Sequence, residues 1–334
     1  MAVVYAPFVD DFGVFSAIDS ALNRSSEVDL KLQLLDFHRE SESSNTKCAL
    51  DIELVVYDVD SLANPWVHVI PVNTARNRAL MHTNAEAIFL LDIDFLPSVS
   101  LVQFYRQNEA WIHFMYELVQ KKTAFVVPAF GHADFLPSST GGDVRLNNYM
   151  DLLKNKTAMG VAWKNRYIPY IYEKQFPRGH GPTNFSRWIT SDAAFPIAYE
   201  QDYEPYVIVA KQYVPWYDER FVLFYHDKSA HLEHLWSLNV KFKVHGSGYV
   251  LHRPHPKAPP LLHATSVASH WHHTGKYIAP YLVMRHLHEA IRGEIANGTY
   301  VPVTIFDHCC PKFEPPNGFP VVAVVEDPKK WARN

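Results

Sequence analysis

Short apolar runs alternate with helix-like stretches over the first 130 or so residues, and this alternation constrains the fold more than any other feature. The runs have strand length and are rich in Leu, Val and Ile; they lie at residues 3–8, 30–37, 52–59, 87–91 and 125–130. Helical patterns lie between them at 12–23, 73–82 and 101–121, and the polar stretch 39–47 is typical of a loop. Interleaved strands and helices predict an α/β fold with a mostly parallel sheet and helices on both faces.

The second half of the chain has a less regular pattern. Residues 162–216 mix Pro, Gly, Trp and Tyr, which predicts long loops over a cleft and no second packed sheet. Residues 228–239 and 281–296 predict helices, and 242–251 predicts a strand pair or one extended strand. Because the sequence contains no repeat, low-complexity tract or clear linker, one domain is expected.

Charge and targeting signals narrow the classes of function. The chain has 35 acidic and 31 basic residues, a net charge of -4 and no basic tract, which disfavours nucleic-acid binding. No apolar stretch reaches the length of a membrane span, and no signal peptide is visible. Four N-x-[ST] sequons are slight evidence for a secretory origin; they begin at Asn23, Asn155, Asn184 and Asn297. The sequence does not indicate an oligomeric state.

The most informative segment is AIFLLDIDFLP at residues 87–97. An apolar strand ends in Asp92 and Asp94, and Pro97 then stops it. Ligands of open α/β sheets bind beyond the carboxyl ends of strands, and strand alternation would place both carboxylates on one side. Their mutual repulsion is relieved by a cation, and oxygen ligands suit Mn²⁺ or Mg²⁺. A bare D-x-D is common as a pair of turn carboxylates, but the apolar strand before it favours a metal site.

A second candidate ligand is His252, in the segment GYVLHRPH at residues 248–255. This histidine is predicted to end a short strand, and Pro254 restricts the backbone conformation just after it. Imidazole nitrogen binds Mn²⁺ alongside carboxylate oxygen. The alternative is a surface histidine among the nineteen in the chain.

Several blocks, taken in order over residues 66–256, resemble the family-49 glycosyltransferases. The blocks are PVNTARN at 71–77, FLLDIDFLP at 89–97, VVPAF at 126–130, GHGPTNF at 179–185, DYEPYV at 202–207, YDERF at 217–221 and LHRPH at 251–255. The resemblance implies a GT-A fold, dependence on Mn²⁺ with Mg²⁺ as the alternative, and inversion at the anomeric carbon. It further implies transfer of glucuronic acid from UDP-glucuronate to a glycan or glycoprotein acceptor, with other UDP-sugars left open.

The resemblance also implies roles for individual residues. Asp94 and His252 would hold the metal, and Asp92 would contact the nucleotide or its ribose and join the metal site. The residues expected against the donor are Asn73, Arg76 and Asn77. The guanidinium of Arg76 suits a phosphate or a uronic carboxylate, with a helix-surface salt bridge as the alternative. His180 and Asn184 would wall the sugar site, and a buried role is expected for Asn184 in place of glycosylation.

Inversion needs a carboxylate that takes the proton of the acceptor hydroxyl, and three acids are candidates. Asp227 stands at the start of the predicted helix 228–239, where its relatives tend to carry Asn, so an N-cap is the alternative for it. Glu204 and Asp202 are the rivals, because Tyr203 and Tyr206 give them an acceptor-like setting. Asp227 and Glu204 rank almost equally.

Together these points predict one α/β domain over residues 1–334, of GT-A type, with a single Rossmann-like mixed sheet flanked by helices and long loops over the active cleft. Its nucleotide-binding part would span about 1–130, its acceptor side about 131–300 and its tail about 301–334. By the same family resemblance the location would be the Golgi lumen or the secretory pathway, with the cytoplasm left open. An inactive glycan- or nucleotide-binding protein is the main alternative, and the set Asp92, Asp94 and His252 argues against it. The other alternative is a metal-dependent hydrolase, which needs a cluster of metal ligands. No HExxH motif is present, and the spacing of His286 and His288 places these two residues on different helix faces.

Overall fold

The computed structural model describes residues 2–8, 27–43, 52–58, 71–104, 108–131, 152–221, 225–253 and 280–304. The strands are β1 Ala2–Phe8, β2 Ile52–Asp58, β3 Ala87–Phe89, β4 Phe95–Pro97, β5 Thr123–Val127, β6 Ala129–Phe130, β7 Phe195–Ile197, β8 Tyr206–Ala210, β9 Lys241–Val244 and β10 Val250–His252. The α-helices are α1 Glu27–Ser43, α2 Val72–His82, α3 Val99–Phe104, α4 Asn108–Val119, α5 Lys156–Lys164, α6 Pro177–His180, α7 Phe185–Thr190, α8 Asp227–Ser237 and α9 Pro280–Ala296. The predicted helix 12–23 and most of the tail lie outside the described residues. So does the run SHWHH at 269–273, for which the sequence favours a polar surface or acceptor loop over metal binding.

Most predicted elements are confirmed. The helices expected at 73–82, 228–239 and 281–296 are α2, α8 and α9, and the run 52–59 forms β2. The run 125–130 forms two strands, since Pro128 between β5 and β6 has no N–H to donate to a ladder. The long helix expected at 101–121 corresponds to α3 and α4.

The strand predicted at 30–37 is wrong, because these residues lie inside helix α1. After Val28 the helix contains no β-branched residue, and its Leu, Lys, Gln and Glu residues all favour helix. The helix continues to Ser43 and so includes part of the predicted loop 39–47. A short apolar run therefore misled the prediction, since run length alone does not separate strand from helix.

The prediction of a single, mostly parallel sheet is also wrong. The described strands form a parallel pair β1–β2, a three-stranded sheet β4-β10-β6 and a five-stranded sheet β3-β8-β5-β9-β7. In the five-stranded sheet only β5 and β9 pair in parallel, and the other neighbours are antiparallel. The cause is β8, which comes from the segment predicted to be loops and inserts between β3 and β5. The fold is a mixed α/β architecture with two mixed sheets flanked by helices.

Strand β5 is the centre of the hydrophobic core, and all five of its residues are buried. Ala124 and Val126 join one cluster of buried residues, whereas Phe125 and Val127 join a second. The first cluster contains Trp188 of α7, and the second contains side chains of α4. Successive residues of a strand point to opposite faces, so the five-stranded sheet is covered on both sides and gives the site a rigid base.

The three-stranded sheet sets the geometry of the candidate site. Strand β10 pairs with β4 in antiparallel register, with His252 opposite Phe95. The backbone N–H of Arg253 donates to the carbonyl of Asp94 at 2.7 Å. Two segments that are far apart in sequence are thus held side by side. Among the described helices, none is both long and apolar enough to cross a membrane.

Candidate active site

Asp94 and His252 lie together at the edge of the three-stranded sheet. Asp94 Oδ2 is 3.2 Å from His252 Nε2, and the two side chains are 31% and 12% exposed. Ligand atoms about 2.1–2.2 Å from one octahedral cation are separated by about 3 Å, so this carboxylate–imidazole pair has the spacing and the donor types of a Mn²⁺ site. The pair results from the register of β4 against β10, since Asp94 directly precedes the residue paired with His252.

The two aspartates of the D-x-D segment face different groups. Strand β3 ends at Phe89, and Asp92 to Asp94 form a turn in which the Phe95 N–H donates to the Asp92 carbonyl at 3.1 Å. The expectation that strand alternation puts both carboxylates on one side is therefore wrong, because the strand ends before it reaches them. Turn geometry directs Asp94 to His252 and Asp92 to a separate group of cations.

Asp92 accepts hydrogen bonds from the Lys228 ammonium and from the Tyr206 hydroxyl, the latter at 2.7 Å. The Arg76 guanidinium is 3.8 Å from the other carboxylate oxygen. Burial raises the pKa of Asp92, but Lys228 and then Arg76 outweigh it and hold the pKa below its usual range. The charge of Asp92 is thus balanced by two protein cations, whereas Asp94 faces an imidazole.

Arg76 forms a buried ion pair with Asp227, the first residue of α8. Its guanidinium also donates to Asn73 Oδ1 at 2.8 Å and lies 5.2 Å from the centre of the Tyr217 ring. The alternative interpretation of Arg76 as part of a helix-surface salt bridge is therefore wrong, because its side chain is only 8% exposed. The N-cap alternative for Asp227 is also wrong, since His226 holds that position and the Asp227 carboxylate binds Arg76.

Asn73 and Asn77 connect helix α2 to the segment 217–219. Asn73 Nδ2 donates to the Asp218 carbonyl at 2.7 Å. Asn77 donates to the Tyr217 carbonyl at 2.8 Å and accepts from the Tyr217 N–H at 2.8 Å. Both side chains are almost fully buried, so in this structure they fix the position of Arg76 and its surroundings.

Glu204 precedes β8 and accepts a hydrogen bond from the Ser229 hydroxyl of α8. Burial raises the pKa of Glu204 to about 7, although the Ser229 hydrogen bond lowers it, and the charge of Asp227 raises it further. A carboxyl group with a pKa near neutrality is suited to general base catalysis. Asp202 has a different setting, because it accepts from Arg292 of α9 at 2.9 Å.

His180 and Asn184 lie in different environments. His180 is buried and stacks on Tyr206, with ring centroids 6.0 Å apart; burial, aided by Lys228, lowers its pKa to about 3, so it is neutral at pH 7. Asn184 is exposed, and the buried role expected for it is wrong. Its φ of 57° is a conformation that Asn tolerates, and its side chain caps α7 by accepting from the Arg187 N–H.

Lys228 and Tyr172 lie near these residues, although the sequence did not predict either of them as part of the site. Lys228 is held between Asp92 and Tyr206, and its position next to Asp227 was the only signal in the sequence. Tyr172 is 55% exposed and has a φ of 55°. Burial raises its pKa, the charge of Lys228 lowers it, and the charges of Asp92 and Asp94 raise it further, so the Tyr172 hydroxyl lies within electrostatic range of both aspartates. An exposed aromatic ring at such a cleft can pack against the C–H face of a sugar.

The sequence is similar to known glycosyltransferases. Residues 27–272 match the family described as "Glycosyl-transferase for dystroglycan", and the chain belongs to this family. It is 35% identical over 185 residues to the xylosyl- and glucuronyltransferase LARGE1 of Gallus gallus and to that of Homo sapiens, in each case over 55% of this chain and 22% of the relative. It is 36% identical over 191 residues to LARGE2 of Mus musculus, over 57% of this chain and 25% of the relative. The chain thus spans about a quarter of the length of these relatives.

Proposed function

We propose that this chain is an inverting, metal-dependent glycosyltransferase of GT-A type that moves glucuronic acid from UDP-glucuronate to a glycan acceptor. Membership of the family supports the reaction class, and the relatives named xylosyl- and glucuronyltransferases make xylose the principal alternative to glucuronic acid. The observation that carries the proposal is the 3.2 Å approach of Asp94 and His252 at the edge of the sheet.

Asp94 and His252 would hold the divalent cation, Mn²⁺ or Mg²⁺. When bound, the cation would act as a Lewis acid and neutralise the charge of the departing diphosphate. Asp92 would lie next to the nucleotide of the donor, since its carboxylate already orients the Lys228 ammonium and the Tyr206 hydroxyl. The tyrosine ring stacks in turn on the neutral imidazole of His180, which would form the wall of the sugar pocket.

Lys228 and Arg76 supply positive charge for an anionic donor. Both are largely buried beside Asp92, and Arg76 is also paired with Asp227, so a donor group that approaches them meets charged N–H donors in a poorly hydrated setting. Burial alone lowers the pKa of Lys228, but Asp92 and Tyr206 raise it well above its usual value, so its charge is permanent at neutral pH. UDP-glucuronate carries a carboxylate in addition to its diphosphate, which favours it over UDP-xylose at such a site.

Glu204 would act as the general base. In a direct displacement the bond from the anomeric carbon to the diphosphate oxygen breaks, the bond to the acceptor oxygen forms, and the acceptor proton passes to Glu204. Glu204 is favoured over Asp227, because Asp227 is paired with Arg76 while Glu204 receives a hydrogen bond from the neutral Ser229 hydroxyl. Asp202 is less suitable, since it is paired with Arg292.

A donor screen tests the proposal. UDP-glucuronate, UDP-xylose, UDP-galactose and UDP-N-acetylglucosamine are offered to the full chain with Mn²⁺ or with a chelator, and UDP release is measured. We expect release from UDP-glucuronate with Mn²⁺ only, and NMR of the product should show inversion. Faster UDP release from UDP-xylose than from UDP-glucuronate would overturn the assignment of the donor. Unchanged UDP release in the presence of chelator would overturn the proposed metal site.

We further propose a secretory location. The sequon residues Asn155, Asn184 and Asn297 are all exposed in the structure, so a transferase in the secretory lumen could modify them. A shift in gel mobility after endoglycosidase treatment of the protein expressed in animal cells would support this. No shift for a chain directed into that pathway would contradict the glycosylation of these sites.

A further inference from the structure

Asp202, His226 and His288 form a group of three potential metal ligands. Asp202 precedes strand β8, His226 precedes helix α8, and His288 lies in the C-terminal helix α9. One ligand atom from each residue lies within 4.8 Å of the others. His288 is 2% exposed, and Asp202 and His226 are partly buried, so the three residues meet where the interior reaches the surface. Three separate parts of the chain thus bring two imidazoles and a carboxylate to one point.

The spacing of the two imidazoles fits a small tetrahedral ion. Their Nδ1 atoms are 3.2 Å apart. Two nitrogens at about 2.0–2.1 Å from a tetrahedral Zn²⁺ are separated by about 3.3 Å. Two imidazoles and one carboxylate form the donor set of many three-residue zinc sites, in which water takes the fourth position.

Hydrogen bonds orient the ring of His288 towards this point. Its Nε2 is 3.1 Å from a carboxylate oxygen of Glu233, which as an anion can only accept. The proton is therefore on Nε2, which leaves the lone pair of Nδ1 directed at His226. A carboxylate behind a ligating histidine fixes the ring and its tautomer in known metal sites.

Charge at the cluster also accommodates a dication. Arg292 donates to Glu233 at 3.0 Å and to Asp202 Oδ1 at 2.9 Å, so these two carboxylates share one guanidinium. The other oxygen of Asp202 lies 3.7 Å from Arg178, whose side chain is 71% exposed and therefore largely screened by water. Arg292 would thus remain as an outer partner of the ligands and need not leave.

We propose that Asp202, His226 and His288 bind one Zn²⁺ ion at a site distinct from the Asp94–His252 pair. The ion would join the segment before β8 and the start of α8 to helix α9, and so hold the segment that carries Glu204. A structural role follows from this position. It also explains why Asp202, although close to Glu204 in sequence, has a different partner set.

The test measures metal content and not turnover, so its result is independent of the proposed transferase activity. Untagged full-length protein carrying Asp94→Asn, which removes the other metal pair, is equilibrated with Zn²⁺ and dialysed, and bound zinc is counted by mass spectrometry. We expect about one equivalent of Zn²⁺. His288→Gln should lose it, whereas the matched control His286→Gln, two residues away on the same helix, should retain it.

A second variant guards against failure to fold. Asp202→Asn alters a partly exposed carboxylate and should also lose the zinc, and Zn²⁺ should raise the Tm of the Asp94→Asn parent but not that of Asp202→Asn. Absence of zinc from the parent would show that the cluster is a hydrogen-bond network only and would overturn the proposal. Equal zinc in the parent and in both ligand variants would overturn it as well.

Discussion

Replacement of Ser229 by alanine should shift the pH dependence of the reaction. The Ser229 hydroxyl donates to Glu204 and lowers the pKa of that carboxyl, which burial raises to about 7. Without this hydrogen bond the ionised form is less stable, so the pKa rises. Because the base must be ionised to accept a proton, activity is lost as the pH falls through this pKa, and the acid limb should move to higher pH.

The size of the shift follows from the strength of the lost interaction. A hydrogen bond to a charged group contributes about 1.5–3 kcal/mol, and one pKa unit corresponds to about 1.4 kcal/mol. A rise of about one unit places the midpoint of kcat/KM near pH 8. At pH 7 the ionised fraction of Glu204 then falls from about one half to about one tenth, a roughly fivefold loss, whereas the rate at pH 9 or above changes little.

The assay is UDP release from UDP-glucuronate and acceptor between pH 5.5 and 9.5. Ser237→Ala is the matched control, since Ser237 lies in the same helix and its hydroxyl donates only to a backbone carbonyl, that of His234, at 2.7 Å. The control should keep the midpoint of the parent. If Ser229→Ala also keeps it, the titrating group is not Glu204. Glu204→Gln should lower kcat by about 10²–10⁴-fold, the usual contribution of a general base.

Three further predictions concern the metal pair, the buried ion pair and two glycines. Asp94→Asn should abolish Mn²⁺-dependent turnover with unchanged thermal unfolding; a near-normal rate would overturn the assignment of Asp94. Arg76→Met should cost about 3–5 kcal/mol in urea unfolding because it leaves Asp227 buried without its partner, and Arg76→Met with Asp227→Leu should recover most of this loss. Additive losses in the double variant would contradict that reasoning. Gly246→Ala should destabilise the protein by about 1–3 kcal/mol or more, since a Cβ would lie 2.1 Å from the Asp192 carbonyl oxygen. Gly293→Ala, in an exposed helical position where an added Cβ would have no atom of the other described residues within 4 Å beyond its own helix backbone, should stabilise it by about 0.5–1 kcal/mol in calorimetry. Equal effects of the two alanines would refute the contact argument.

The elements that the sequence predicted well are those with a strong local cause. Helix α2 and helix α8 combine a helical period with good helix formers, and β5 has an unbroken apolar run that is buried on both faces. The apolar run in helix α1 fits either a strand or a helix, and only helix propensity separates the two. Strand β8 was missed, since a Pro- and Tyr-rich setting concealed a strand that long-range pairing with β3 and β5 stabilises.

The sequence by itself determined the chemical types of the site: an acidic turn after an apolar strand, a histidine at the end of another, and a set of acids near Tyr206. Tertiary structure decided the partners of each side chain. Asp94 meets His252 because β4 and β10 pair in one register, and Asp92 turns to Lys228 because β3 ends at Phe89. The pKa of Glu204 likewise depends on burial by segments that are distant in sequence. Local pattern specifies which groups a chain carries, but pairing register and burial fix their distances and charges, and both arise only when the remote segments pack together.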